Sequence, residues 1–501
     1  MNKQDLINLL EPYGQEHLLK YWEELNQTEK EHLIEDIKEI DFAQMVKNYN
    51  RVKSEMDQTV QEFDELMQPV PQELKGSYEK STPEQIKEYE MLGLKAIANN
   101  EVASLLLAGG QGTRLGVNYP KGMYSVGLFS GKSLYHLQGE RLVKLKQYAN
   151  RLFPEAPSEK QNSSIPWYIM TSEHTQESTI EYFRKSNFFG LDKENIKFFE
   201  QFMLPCLTND GKVILDQKSK ISKAPDGNGG LYRALDKRSI LNDMKKRGVK
   251  YVHVYCVDNI LVKMADPAFV GFCIAKNANC AAKVVKKVEP DEKVGVICKV
   301  KDRFQVVEYS EISEKTRNLR TDDGELLYNA GNICNHFFNI DFLSELCSEH
   351  ESELKHHVAH KKIAYVNENG ERVTPKETNG IKLEKFVFDV FPFSTSKWAK
   401  GNFAIWEVYR EEEFSPLKNS DDCKKETPTT CRNDLYAQHA RWLQKAGAVL
   451  DPEAQVEISP LVSTNGEELT ELMKGKALKG NLTIELDKSD NKVKINGSLS
   501  L

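Results

Sequence analysis

Apolar residues recur at helical spacing through the first 66 positions. Leu18, Leu19, Trp22 and Leu25 share one face, and Leu33, Ile34, Ile37 and Ile40 share another. Thr28 with Glu31 forms a capping-box pattern between the two runs. The stretch 1–66 therefore reads as a helical N-terminal domain whose stripes serve packing. Positions 67–81 hold Pro69, Pro71 and Gly76 and read as a crossing segment. Thr82, Pro83 and Gln85 mark a new helix start, with a capping residue, proline at the first helical position and a box partner. That helix, 82–100, either joins the N-terminal domain or opens the next one.

From Val102 the pattern alternates between short apolar runs and amphipathic ones. Val102–Leu107, Ile165–Met170 and Tyr251–Val257 predict strands. A helix capped by Ser133 and running through Leu145, and another over Leu231–Arg247, fall between them. This rhythm predicts an α/β fold with a parallel or mixed sheet covered by helices over 67–405. In such sheets ligands sit at the carboxyl ends of strands. Residues 406–501 predict a small α+β C-terminal domain. Within it 418–433 reads as a polar exposed loop and Val456–Val462, Leu482–Leu486 and Val493–Ile495 as strands, the last two paired through a turn at Ser489, Asp490 and Asn491.

Composition narrows the function classes. The 501 residues are 40% hydrophobic with a net charge of −7, which argues against a surface built to neutralise nucleic-acid phosphates or anionic lipid. A small phosphorylated ligand needs only a local positive cluster. The nine cysteines are scattered with no CxxC pair, which predicts buried free thiols rather than a zinc site. No run has transmembrane length and the first residues lack a signal peptide's apolar stretch, so a cytoplasmic protein is expected. The glycosylation triplets at Asn26, Asn162, Asn481 and Asn496 then read as chance matches.

The strongest motif follows the first strand: Leu107-Ala108-Gly109-Gly110-Gln111-Gly112-Thr113-Arg114-Leu115-Gly116, then Tyr119-Pro120-Lys121-Gly122. Glycines let backbone amides approach and cradle phosphate oxygens, and Arg114 and Lys121 add fixed charge. Tight packing alone is the other use of such a loop. The dinucleotide fingerprint fails, because Gly116 lies one residue too far after Gly110 and Gly112. The P-loop also fails: Gly127 and Gly131-Lys132-Ser133 enclose three residues, not four. Asp258, ending the run Tyr251–Val257, either holds a metal against phosphates or makes an ordinary strand-end turn with Asn259. His356, His357 and His360 read as exposed polar residues on a helix, without an HExxH frame.

LAGGQGTRLG followed by YPKG resembles the signature loop of the eukaryotic UDP-N-acetylhexosamine (UDP-N-acetylglucosamine) pyrophosphorylases. The glucose-specific UTP enzymes resemble it only loosely. The likeness runs from about residue 85 to 420. It implies a central Rossmann-like domain of nucleotidyltransferase type A-like architecture, a helical N-terminal domain and a small C-terminal one. It implies a uridylyltransferase that joins UTP to N-acetylglucosamine 1-phosphate with Mg²⁺ or Mn²⁺, releasing pyrophosphate. UTP would be held by Leu107, Ala108, Gly109, Gly110, Gly112, Thr113, Lys121, Gln201, Gly227, Asp258 and Lys382, with Asp258 on the metal. Arg114, Lys121 and Lys382 would be catalytic. Asn228, Gly295, Glu308, Tyr309, Asn332, Phe386, Phe388 and Lys418 would place the sugar phosphate. Without the family, Phe386 and Phe388 read as one face of a buried strand, and Lys382 and Lys418 as surface charges.

The resemblance fits the chemistry. A sugar 1-phosphate is largely dianionic at neutral pH, its second pKa lying near ~6, and attacks the α-phosphorus without a general base. What it needs is cations, amide donors and a metal. No nucleic acid or membrane partner is expected, and the chain is expected as a monomer or homodimer. The rival readings are an enzyme of the class acting on glucose 1-phosphate or N-acetylgalactosamine 1-phosphate, a nucleotide-sugar-binding protein without turnover, and an NAD-dependent dehydrogenase.

Overall fold

Six consecutive buried residues, Val102–Leu107, form the strand that carries the glycine-rich loop. A strand buried on both faces belongs inside a sheet, not at its edge. In the computed structural model, which describes residues 1–55, 64–157, 159, 163–487, 489–490 and 492–500, this strand is one of eleven. They are β1 (Met67–Gln68), β2 (Lys75–Ser77), β3 (Val102–Leu107), β4 (Trp167–Thr171), β5 (Ile196–Glu200), β6 (Tyr251–Cys256), β7 (Ala278–Lys286), β8 (Val296–Val300), β9 (Arg303–Val307), β10 (Ala330–Asn339) and β11 (Asn402–Val408). The spatial order is β2-β11-β7-β10-β6-β3-β4-β5, with β8 joined to β10, β9 and β1. β6, β3, β4 and β5 run parallel, as do β2, β11 and β7; β10 is antiparallel to both its path neighbours. The α/β class with a large mixed central sheet is therefore observed. Asn162, Asn491 and positions 56–63 of the expected helical stretch lie outside the described residues.

The chain divides into two compact units. The first comprises Met1–Glu65, Gln201–Ala234 and His350–Asp389; the second comprises Leu66–Glu200, Leu235–Glu349 and Val390–Leu501. The core of the first packs Leu6, Leu18, Trp22, Leu33 and Ile37 against Leu207, Val213, Ile381 and Leu383. The second unit holds the eleven-stranded sheet. Its C-terminal part adds a helix, Pro428–Lys445, and a four-stranded sheet (Val449–Leu450, Ala477–Leu486, Val456–Ile458 and Val493–Ser500) with its own apolar cluster. Among the described residues no helix is long and apolar enough to cross a membrane. All nine cysteines are free thiols; Cys423 is exposed and six others are buried.

Several local readings change. The N-terminal capping box is Asn26 with Glu29, two residues earlier than Thr28 with Glu31, because asparagine's side chain already accepts from the N–H of Glu29. Leu18, Leu19, Trp22 and Leu25 are buried as expected, but the first three lie on short 3₁₀ turns and Leu25 is extended just after the second. The crossing segment 67–81 contributes β1 and β2 to the sheet. The helix 231–247 is two, Leu231–Lys237 and Ile240–Lys246, broken where Ser239 takes φ +58. Helix, not loop, begins at Pro428, and Cys431 on it is buried. Ser133 does cap a helix, which continues to Leu152. Thr82 and Gln85 do form their box before Pro83–Ala98. The last two strands do pair antiparallel.

One buried ionic cluster stands beneath the sheet of the second unit. Lys283, fully buried on β7, bonds Asp266 at 2.6 Å and also Glu413. A lysine there is tolerable only because two carboxylates meet it, since an unmatched buried charge is strongly destabilising.

Candidate active site

In the second unit β3 delivers buried Leu107 and Ala108 to a loop that closes on itself. The Gly112 N–H donates to the Tyr119 carbonyl (3.0 Å) and the Lys121 N–H to the Gly110 carbonyl (3.3 Å). Ser172 Oγ clamps the Gly109 carbonyl from the end of β4 (2.9 Å). Thr113–Leu115 is a 3₁₀ turn on which Thr113 and Arg114 are exposed. Two consequences follow. The carbonyls are used within the protein, whereas the N–H groups of Gly109, Gly110 and Gln111 have no acceptor among the described residues. A row of such donors on a strand-to-loop turn is an anion cradle. Arg114 likewise has no ion-pair partner among the described residues.

Asp258 stands two residues past β6, whose neighbour in the sheet is β3. Lys121 Nζ lies 3.7 Å from its Oδ2. The backbone there is laced to a later segment: Leu417 N–H donates to the Asp258 carbonyl (2.8 Å), Ser415 N–H to Asn259 Oδ1 (2.9 Å), and Asn259 Nδ2 to the Glu413 carbonyl (2.7 Å). Lys418 is thereby carried beside Asp258, its Nζ on Glu426 Oε1 at 2.9 Å. Thus the glycine loop, Lys121, Asp258 and Lys418 converge.

A second cluster lies along β8, β9 and β10. The Asn332 N–H donates to the Gly295 carbonyl (2.8 Å). A Cβ on Gly295 would sit 3.0 Å from Glu308 Oε1 and 2.8 Å from Val306, so only glycine leaves that space open. Gly295, Glu308 and Asn332 are therefore together, with Tyr309 exposed beside them. Asn332 is also two residues from Cys334, whose Sγ lies 3.0 Å from Cys256 Sγ on the neighbouring strand. Scattered spacing hid that pair, because strand register alone brings it together.

The first unit assembles the remaining predicted residues. Gln201 is buried. Gly227 takes φ +85, and a Cβ there would lie 2.4 Å from the Lys385 carbonyl oxygen; both the dihedral and the contact demand glycine. Asn228 Oδ1 accepts from the Val387 N–H (2.9 Å), and the Tyr232 hydroxyl donates to the Val387 carbonyl. Lys382 is half-buried on the strand Gly380–Glu384. That strand ends before Phe386 and Phe388, which therefore sit on a turn and not on one face of a strand; Phe386 is half-buried and Phe388 buried. His357 stacks on Phe386 with centroids 4.3 Å apart, and its Nε2 contacts Asp389 Oδ1 at 2.9 Å. The histidines are not helical: His357–Lys361 is a strand paired with Gly380–Glu384. His356 is buried, which lowers its pKa to about 3. Alternating histidines and apolar residues mimic helical spacing over so short a run.

Residues 41–477 match the family model described as UTP–glucose-1-phosphate uridylyltransferase. The chain belongs to that family. Within it, the chain is 49% identical over 487 residues to UDP-N-acetylhexosamine pyrophosphorylase-like protein 1 of Xenopus tropicalis, covering 93% of each protein. It is 40% identical over 500 residues to a protein of Dictyostelium discoideum named probable UDP-N-acetylglucosamine pyrophosphorylase, covering 98% of this chain and 99% of that one. The crystal structure of the uridine diphosphate N-acetylglucosamine pyrophosphorylase from Trypanosoma brucei, in complex with inhibitor, superposes with TM-score 0.81 at 30% identity, covering 94% of this chain and 95% of that one.

For a member of the uridylyltransferase family, one residue of the PDGNGG turn stands out. Asp226 is 3% exposed and its Oδ1 has no hydrogen-bond partner among the described residues. Burial pushes its carboxyl up to about 7, against the pull of Lys385 and Arg233. The folded value exceeds the ordinary unfolded one of about 3.9. Between those values the folded state binds a proton that the unfolded state does not. The contribution of this group to stability is therefore greatest below about pH 4 and is lost as pH rises to about 7. Asp226→Asn removes this dependence. Urea unfolding should show its advantage over the natural chain growing from pH 5 to pH 8, by on the order of a few kcal/mol. An equal difference at both pH values would contradict the assignment.

Proposed function

We propose that the chain transfers a uridylyl group from UTP to N-acetylglucosamine 1-phosphate, forming UDP-N-acetylglucosamine and pyrophosphate. The observation that carries this reading is the unused N–H row of Gly109–Gln111 beside the Lys121–Asp258 pair. It offers donors, a cation and a carboxylate where a strand ends, which is what a triphosphate with a metal requires. The full-length likeness to pyrophosphorylases named for N-acetylglucosamine supports the sugar.

The reaction needs placement more than covalent chemistry. A sugar-phosphate oxygen forms a bond to the α-phosphorus of UTP while the bond to the bridging oxygen of pyrophosphate breaks; no proton need move. Arg114 and Lys121 would balance charge on the departing pyrophosphate, with Lys382 contributing from its own strand. Gln201 and Gly227 would read the uridine. Asn228, Gly295, Glu308, Asn332, Phe386, Phe388 and Lys418 would hold the sugar phosphate, with Tyr309 at its edge.

Mg²⁺ or Mn²⁺ fits this donor set. Among the described residues no three His, Cys, Asp or Glu side chains could hold a metal ion by themselves. One strand-end carboxylate sharing a cation with substrate phosphates is the usual mode for Mg²⁺. Asp258 would hold it, and when bound it would neutralise phosphate charge. Nine free cysteines fit a cytosolic setting.

The test is pyrophosphate release from UTP with purified protein, Mg²⁺ and a panel of sugar 1-phosphates. N-acetylglucosamine 1-phosphate should exceed glucose 1-phosphate in kcat/KM by about tenfold or more. The N-acetylgalactosamine epimer belongs in the panel, since the Xenopus relative is named for N-acetylhexosamines. UTP binding without turnover on any sugar would make the chain a nucleotide-binding protein instead.

A further inference from the structure

β7 ends at Lys286, and the next residue, Lys287, is 3% exposed. Its N–H donates to the Asn329 carbonyl (2.8 Å), one residue before β10, and the ladder sets Lys286 opposite Ala330 and Val285 opposite Gly331. Val296 on β8 pairs with both Gly331 and Val307. Lys287 therefore stands at the corner of the sheet that also presents Gly295, Glu308 and Asn332.

Four lysines are buried among the described residues: Lys146, Lys283, Lys287 and Lys385. Three spend their donors inside the protein. Lys146 Nζ bonds the carbonyls of Ile97 and Ala98 and Asn100 Oδ1; Lys283 bonds Asp266 and Glu413; Lys385 bonds Glu351. Lys287 is the exception: among the described residues none offers its Nζ a hydrogen bond and no carboxylate comes within ion-pair distance, 4.0 Å. The charged groups facing it are Glu292, Arg317, Asp291 and Glu308. Arg410 already holds Glu292, and Arg317 lies 3.4 Å from Asp291. Burial keeps the Lys287 pKa below the ordinary lysine range, with Glu292 pulling the other way. The stem of Lys287 is packed inside while its ammonium keeps an opening to solvent and meets no protein acceptor among the described residues, so its donors are available to a ligand oxygen arriving from that opening.

We infer that Lys287 is a further substrate-binding residue, whose ammonium donates to an oxygen of the hexose alongside Glu308. This rests on the proposed uridylyl transfer to an amino-sugar phosphate and adds a contact that fixes the sugar, not the nucleotide.

Lys287→Met tests it in the full chain with UTP, N-acetylglucosamine 1-phosphate and Mg²⁺. The KM for the sugar phosphate should rise about tenfold or more, as for loss of a hydrogen bond to a charged group. The KM for UTP should stay within about twofold. The thermal midpoint should not fall, because methionine removes a buried charge while filling similar space. Lys287→Gln keeps a donor without the charge and should lie between the two in sugar KM. An unchanged sugar KM overturns the inference. So does a lowered midpoint with both KM values raised, which would mark a structural lysine. Should Lys287→Met fail to fold, that too marks a structural lysine, and the glutamine variant checks it by the same readouts. If the natural chain turns over neither hexosamine 1-phosphate, the failure belongs to the proposed function itself, and this inference falls with it.

Discussion

Replacing Arg114 with alanine is expected to lower kcat by about 10²–10³-fold while weakening UTP affinity by less than about tenfold. The expectation comes from how the loop is built. The amides of Gly109, Gly110 and Gln111 supply ground-state donors that the substitution leaves in place. Arg114 rides an exposed 3₁₀ turn and bonds no other described residue, so its removal leaves no buried group unsatisfied. Its guanidinium is available for charge that develops as pyrophosphate departs, and an interaction realised only in the transition state lowers kcat when lost. Single-turnover kinetics with UTP titration separates the two quantities. Lost affinity with normal turnover would show that the turn serves binding alone.

Asp258→Asn is the second large effect. Asparagine keeps the shape and the backbone bond from Leu417, whose donor is the N–H and whose acceptor is the carbonyl of residue 258. The substitution removes only the carboxylate charge that faces Lys121 Nζ at 3.7 Å. The proposed Mg²⁺ would then lose the carboxylate that would hold it. The Mg²⁺ concentration for half-maximal rate should rise at least about tenfold, and kcat fall on the order of a hundredfold or more. A variant with the natural metal dependence would show that Asp258 is a turn residue and that Lys121 pairs with it for structure.

The parts of the fold visible in the sequence are those written locally. The run Val102–Leu107 with its glycines, the Thr82–Gln85 box and the Ser133 cap each depend on residues a few positions apart, and each is where the pattern puts it. The parts that escaped are non-local. Two-residue strands such as Met67–Gln68 have too few positions to show a period, and exist because a partner, Lys299–Val300, is waiting. Strand His357–Lys361 is held by Gly380–Glu384, which no spacing within 356–360 could reveal. The candidate site divides the same way. The glycine loop and Asp258 announce themselves at strand ends, whereas Asp226 becomes notable only once burial shows its Oδ1 without a partner, and Lys287 only once its side chain proves buried without an ion pair among the described residues. Lys287 reads in sequence as one of two adjacent lysines; its neighbour Lys286 takes Glu325 at 2.8 Å and leaves it distinct.

The apolar residues from Leu6 to Val52 are buried in one cluster with residues of 207–221 and 381–383. During synthesis those residues emerge from the ribosome long before their partners exist. At about 5–20 residues per second, the wait until residue 389 is made lasts roughly 20–60 s. Leu18, Trp22, Leu33 and Ile37 lack those partners for that time, which makes the nascent chain a client for chaperones and makes slow-growing or stalled ribosomes a route to aggregation.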